Sequence, residues 1–447
     1  MPAQSWLPDL IYRDGSFHSD QALVCDEGKI VEIVASDKVP NAIRLKRCAL
    51  LPGMVNAHSH AFQRIIRGRT EHRSQHTTDS FWTWREQMYA AANRLGPEEI
   101  YAASRLAFLE MALTGITAVG EFHYIHHSPD GSPYDDPNLL AREVIRAARD
   151  VGIRIALLRV AYARAGFEAE PNPQQVRFIE ASPDIYLKHL EQLLSAPELK
   201  DEFAWAGMAP HSVRAVPLDY LKAIVTFAKD RDLPVHMHVA EQPAEVSACI
   251  KEYGRSPVAL LDTEGILSKR FTAVHAIHVT PKAISAIARA GAFVCACPTT
   301  ERNLGDGVVP VDSYLEAGVK IALGSDSQIQ IDLLEDAREL EYHLRLQKTA
   351  RNVLAPADDT SSSALARRLF DCATVSGAES IGFDGGKLEP GAPADFFTVD
   401  LDDLSIAGCA VEDLLANIVF SLSRTAVRDV VVGGKRIIED RNHGLHG

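Results

Sequence analysis

The stretch Asn56-Ala57-His58-Ser59-His60 closes an apolar run with two histidines at i and i+2. That spacing sends both imidazoles to the same side of an extended chain, where they can reach one cation. A second pair follows in Leu233-Pro234-Val235-His236-Met237-His238-Val239-Ala240-Glu241, with a carboxylate shortly after His238. Two further apolar runs end in titratable groups, Ala273-Val274-His275 and Leu323-Gly324-Ser325-Asp326-Ser327. Any one of these is commonplace, because single histidines and carboxylates mostly serve as hydrogen-bonded or solvated groups. Their recurrence at the ends of separate runs is what points to chemistry. Several imidazoles with a carboxylate suit zinc, which takes nitrogen and oxygen ligands, better than calcium or magnesium, which prefer all-oxygen shells. Iron and manganese stay compatible. The comparable run Met208-Ala209-Pro210-His211 carries no lysine to bridge two ions as a carbamate, so a single ion is expected.

Side chains so far apart in sequence need a frame that collects them. Between Leu50 and about Leu388, apolar β-type runs alternate with helical stretches such as Pro97 to Leu113 and Leu139 to Val151, the pattern of a parallel sheet covered by helices. Candidate strands run through Leu51 to Ala57, Ile116 to Glu121, Ile153 to Val160, Phe203 to Ala209, Leu233 to Val239, Phe271 to His275, Ala292 to Cys297 and Val319 to Leu323. This alternation predicts an α/β fold, a (β/α)8 TIM-like barrel whose active site lies where the strands end. The residues singled out above fall at those ends. Outside the barrel, Ala22 to Ile33 reads as two short strands around a Glu-Gly turn. Ala394 to Val399 and Val427 to Ile438 read as strands too, the latter broken by Gly433-Gly434. Pairing of the two ends predicts a small β-sandwich domain built from both termini, its parts at residues 1–50 and 389–447, around a metal-dependent barrel at 51–388.

Composition narrows the partners. Apolar residues at 46% and charged residues at 24% predict a globule. A formal charge of −14, from 60 acidic and 46 basic side chains, repels phosphate backbones, so nucleic acid is not expected. No apolar run has the length of a membrane span, and the start Met1-Pro2-Ala3-Gln4 does not read as a secretory signal; a cytoplasmic protein is expected. The 7 cysteines have no spaced framework and read as reduced core thiols, Cys295 and Cys297 included.

Pro52-Gly53-Met54-Val55-Asn56-Ala57-His58-Ser59-His60, the His238-to-Glu241 motif, His275, the Gly-Ser-Asp326 end and Gly386-Lys387-Leu388-Glu389-Pro390-Gly391-Ala392-Pro393-Ala394-Asp395-Phe396 together resemble the amidohydrolase superfamily over nearly the whole chain. The resemblance implies that His58, His60, His238 and Asp326 bind one zinc ion while Glu241, His275 and Asp326 handle protons. Gln63, Phe81-Trp82-Thr83-Trp84-Arg85, Tyr124 and Ala209-Pro210-His211-Ser212-Val213-Arg214-Ala215-Val216 are similar to the formimidoylglutamate deiminases. That likeness implies substrate contacts at Gln63, Arg85, Tyr124, His211 and Arg214, a small anionic substrate, hydrolytic loss of ammonia from an amidine in histidine degradation, and a homodimer.

Two other functions compete. An amino- or chlorohydrolase of the same superfamily, acting on guanine, an adenosine derivative or a triazine, would want stacking and amide contacts around a flat uncharged ring. A non-catalytic scaffold resembling the dihydropyrimidinase-related structural proteins would have lost ligands that are present here. Plainer readings are expected elsewhere: His236 as a hydrogen-bonded barrel residue, Arg64, Arg67, Arg69, His72 and Arg73 as a solvated or contact face, and Trp82 and Trp84 as packing or pocket wall.

Overall fold

A computed structural model describes residues 4–72, 79–167, 169 and 172–444; Arg73, the last of the arginine-rich run, lies outside them. Eight parallel strands form the centre: β1 (Met54–Ser59), β2 (Ile116–His123), β3 (Arg154–Ala161), β4 (Ala204–Pro210), β5 (Val235–Val239), β6 (Phe271–His275), β7 (Phe293–Ala296) and β8 (Ile321–Leu323). They are hydrogen-bonded in strict chain order. Every residue of β1, β2, β3, β5, β6, β7 and β8 is buried, which is why these runs are mostly apolar, with their polar residues, such as His58, Glu121, Arg159 and His238, buried as well. Helices cover the outside, among them Pro97–Leu113, Leu139–Val151 and Leu333–Lys348.

The sheet closes at a narrow seam. Between β8 and β1 the pairing is one parallel bridge, Ser59 with Asp326, in which Asp326 N donates to His58 O at 3.0 Å and His60 N donates to Asp326 O at 3.0 Å. Side chains reinforce it. Asn56 Nδ2 donates to Ser325 Oγ at 2.7 Å, Ser325 N donates to Asn56 Oδ1 at 3.0 Å, and Gln328 Nε2 donates to Ser59 Oγ at 2.8 Å. Gly324 lets the strands approach, because a Cβ there would stand 2.7 Å from His58 Cβ and 2.8 Å from its carbonyl oxygen.

The two chain ends meet in one nine-stranded sheet. Gln4–Arg13 pairs in parallel with Ile43–Pro52, and Phe396–Asp400 pairs antiparallel with Ile43–Pro52 on its other side. The sheet curls back on itself: Ile30 N donates to Ala392 O at 2.8 Å and Gly434 N donates to Ala394 O at 3.0 Å. Trp6, Leu23, Ile30, Leu50, Phe396 and Val431 fill a separate small core. Arg154 of β3 ties this module to the barrel through a buried bidentate pair with Asp395, at 2.7 and 3.1 Å.

Two details depart from the sequence expectation. Leu51 and Pro52 belong to the terminal sheet, and the barrel strand starts only at Met54, after Gly53, where any Cβ would meet Thr117 Oγ1 at 2.2 Å. The C-terminal stretch also contains a helix, Leu414–Ser421, whose Leu414, Leu415, Ile418 and Val419 are buried in the barrel's core cluster. Among the described residues no helix is long and apolar enough to cross a membrane.

Candidate metal centre and active site

At the strand ends the backbone leaves the sheet abruptly. Ala240, His275 and Asp326 take φ of 52°, 67° and 47°, a left-handed conformation unusual for residues with a side chain. Such departures concentrate at functional sites, where the surrounding fold holds them. Here they bring β1, β5, β6 and β8 side chains over one mouth of the barrel.

His58, His60, His238 and Asp326, all buried, put four donor atoms within 4.8 Å of one another. His58 and His238 face each other through Nε2 at 3.2 Å, and His60 and His238 at 3.4 Å. Asp326 Oδ1 lies 3.3 Å from Nε2 of both His58 and His60. Tetrahedral ligands about 2.0–2.1 Å from a zinc ion stand about 3.3–3.4 Å apart, so the set has the dimensions of such a site. The tautomers agree. Nδ1–H of His60 donates to Phe122 O at 3.0 Å and that of His238 to His211 O at 3.1 Å, which leaves each Nε2 lone pair free and fixes the ring, as ligating histidines require. Burial keeps these imidazoles neutral, lowering His60 to about 3 and His58 and His238 below the ordinary range. The inward lone pairs of His60 and His238 and a carboxylate repel one another unless a cation sits among them, and His58 Nδ1 is buried without a partner among the described residues. The residues therefore fit a divalent metal.

The proton-handling groups flank this cluster. His275 Nε2 lies 3.6 Å from Glu241 Oε1 and 3.7 Å from Asp326 Oδ2, and its Nδ1 bonds Glu301 Oε1 at 3.1 Å. Burial disfavours a charge on His275, but Glu241, Glu301 and Asp326 outweigh it and hold the imidazole well above its usual pKa. Burial lifts the Glu241 carboxyl above the ordinary range, against the pull of His275, which suits a group that must donate a proton near neutrality.

Gln63, Arg85, Tyr124, His211 and Arg214 line one cavity with His60, His238, Glu241 and Asp326. Gln63 Nε2 donates to Tyr124 Oη at 3.0 Å. Helix Phe81–Ala92, started by a Ser80–Thr83 capping box, presents Arg85 from one wall. Its Nε and Nη1 are buried without a hydrogen-bond partner while its guanidinium stacks 4.5 Å over Trp82. Arg214 Nη1 donates to Ala165 O at 3.1 Å and lies 3.5 Å from Tyr162 Oη. Burial, then the neighbouring charge of Arg214, lowers the pKa of Arg85.

Several wall residues carry no sequence signal. Tyr89, Tyr162 and Glu245, and Glu301 behind His275, are common types whose place depends on the fold, although Tyr162, immediately past β3, occupies a strand tip as Tyr124 does past β2. The plainer reading holds at His236, whose Nε2 bonds Ser380 O at 2.8 Å, whereas Arg64 and Arg67, expected on a solvated or contact face, are part-buried and both pair with Glu110. Trp84 lines the cavity. Cys295 and Cys297 are free and buried, and Cys297 N donates to Glu301 Oε1 at 2.9 Å.

A parallel eight-stranded barrel with histidine and aspartate donors gathered at its strand ends defines a metal-dependent hydrolase. The chain belongs to the amidohydrolase family, whose model matches residues 49–437. It is 39% identical, over 93% of its length and 90% of the relative, to formimidoylglutamate deiminase of Pseudomonas aeruginosa. Its identity to a 5-methylthioadenosine/S-adenosylhomocysteine deaminase of Natronomonas pharaonis is 29%, over 97% of this chain and 90% of that one. The crystal structure of an amidohydrolase from Brucella melitensis superposes with a TM-score of 0.90 at 36% identity, covering 99% of this chain and 96% of that one. The protein is accordingly a hydrolase acting on carbon–nitrogen bonds.

Proposed function

We propose that the protein is a deiminase holding one zinc ion and hydrolysing N-formimino-L-glutamate to N-formyl-L-glutamate and ammonia, a step in histidine degradation. The observation that carries this reading is the pair of guanidinium groups in the cavity, Arg85 with two buried nitrogens unpartnered and Arg214 beside it. Unsatisfied buried cations call for an anion, and carboxylate is the group that a planar fork matches best. A purine or triazine would leave both charges uncompensated. The 39% identity to a formimidoylglutamate deiminase supports the same substrate.

His58, His60, His238 and Asp326 would hold a divalent ion, which would supply Lewis-acid charge bringing a water's pKa towards ~7. Asp326, held ionised, then takes the attacking water's proton as oxygen bonds to the formimino carbon, while the charged His275 imidazole beside it orients that water and steadies the developing oxyanion. Glu241 delivers a proton to the terminal nitrogen, because ammonia departs only once that nitrogen is protonated. The carbon–nitrogen bond breaks, leaving a formyl group on the glutamate nitrogen. The test is ammonia release across a panel of N-formimino-L-glutamate, 5′-methylthioadenosine, 8-oxoguanine and a triazine. The acidic amidine is expected to have the highest kcat/KM, and a neutral ring substrate with a higher value sinks the assignment.

A further inference from the structure

Behind the two arginines, Gln175 is fully buried and sends its side-chain nitrogen to two phenols, 2.6 Å to Tyr89 Oη and 2.8 Å to Tyr162 Oη. An amide nitrogen only donates, so each phenol oxygen is an acceptor in these bonds. Arg214 Nη1, 3.5 Å from Tyr162 Oη, is a second donor facing that oxygen. With Gln175 and Arg214 on its acceptor side, Tyr162 has its hydroxyl proton to give away, and Tyr89, accepting from Gln175, has among the described residues no acceptor for its own proton nearer than Tyr162 Oη at 3.5 Å. The two oxygens are 3.5 Å apart, too far for a strong bond between them, and both tyrosines line the cavity that holds Arg85 and Arg214. Burial opposes ionisation of Tyr162, but chiefly the charge of Arg214 outweighs it and lowers its pKa, which sharpens it as a donor. A region with two guanidinium groups, hydroxyl protons facing the cavity and, among the described residues, no carboxylate bonded to either arginine is built for an anion.

We infer that Tyr89 and Tyr162 are substrate-binding residues that donate hydrogen bonds to one carboxylate of the substrate, with Gln175 as the positioning residue that turns both hydroxyls towards it. This rests on the deiminase reading and deepens it: the four donors select for a carboxylate at a fixed distance from the amidine. Charged arginines supply attraction from any direction, whereas hydroxyls of fixed orientation add the requirement of place.

The experiment measures two things on the metal-loaded protein. Calorimetry follows binding of glutarate, a dicarboxylate with no amidine, to the wild type and to Tyr89→Phe and Tyr162→Phe, and kinetics compares N-formimino-L-glutamate with its two monoamides. Each Phe variant is expected to bind glutarate about tenfold or more weakly, as loss of a hydrogen bond to a charged group implies. KM for the diacid should rise while kcat stays within about threefold, the sign of lost uniform binding. The loss should vanish for one monoamide and persist for the other, identifying the carboxylate concerned. Gln175→Met should show the same KM rise and the same dependence on which carboxylate is amidated. Wild-type protein that does not bind glutarate, glutarate affinity unchanged in both Phe variants, or equal losses on both monoamides overturns the inference. Failure of wild-type turnover with intact glutarate binding instead sinks the deiminase reading alone.

Discussion

Arg85→Met isolates the charge at the cavity wall, because methionine keeps an apolar stem against Trp82 and Tyr89, over which the guanidinium lies at 4.5 and 5.5 Å. Two of its nitrogens, Nε and Nη1, are buried without partners. Each hydrogen bond to a carboxylate contributes about 1.5–3 kcal/mol, so two of them give roughly 3–6 kcal/mol gross. Part of that offsets the desolvation of a guanidinium already buried beside Arg214, which leaves about 3 kcal/mol, or on the order of 100-fold in kcat/KM. The loss should fall mainly on KM. Stability should move the other way: without substrate the wild type carries an unpaired buried cation, so Arg85→Met should melt no lower than the wild type. A coupled ammonia assay and differential scanning calorimetry read both quantities. A kcat/KM for N-formimino-L-glutamate within threefold of wild type would refute the argument, because it would mean that no substrate anion meets Arg85.

Three more outcomes follow from the site. Chelation should abolish activity and lower the melting temperature, with recovery on adding zinc; at a metal concentration of 100 times Kd the ion contributes about 2.7 kcal/mol, and metal analysis giving well under one ion per chain in active protein would contradict the centre. Glu241→Gln should retain metal while kcat falls by about 10²–10⁴-fold, the range for a lost general acid, and a drop of less than tenfold would remove Glu241 from proton transfer. Gly324→Ala should lose metal, because its Cβ would meet the His58 carbonyl oxygen at 2.8 Å, backbone that cannot step aside; full metal content at wild-type stability would show that the seam yields.

The barrel was legible because its strands are buried on both faces and read as largely apolar runs alternating with helical stretches. That same feature hid the division at Gly53. Leu51 and Pro52 pair with Phe397 and Phe396, while Met54 pairs with Ile116, and a continuous apolar run cannot reveal that it serves two sheets. The metal-suited set was legible because titratable side chains recur at the ends of separate apolar runs, His58 and His60, His238 and Asp326, although the spacing alone did not separate His238 from the structural His236. Gln175, Tyr89 and Tyr162 were not: they come from the 3-10 helix Pro173–Phe178, the helix Phe81–Ala92 and the loop past β3, and only the folded barrel brings them together. Helix Leu414–Ser421 was missed because its short apolar run, LLANIVFS, lies among strand-like neighbours and is too brief to show a period.

The joint between β8 and β1, like that between β4 and β5, is held by a single bridge, and it runs straight through three of the four metal-suited residues, His58, His60 and Asp326. A cation there acts as a rivet across a weld of few backbone bonds, so chemistry and closure share one fastening. Demetallated protein should therefore part along this line first. Amides around residues 58–60 and 324–328 should exchange with deuterium ahead of those in β3 and β4, whose long ladder has no such gap.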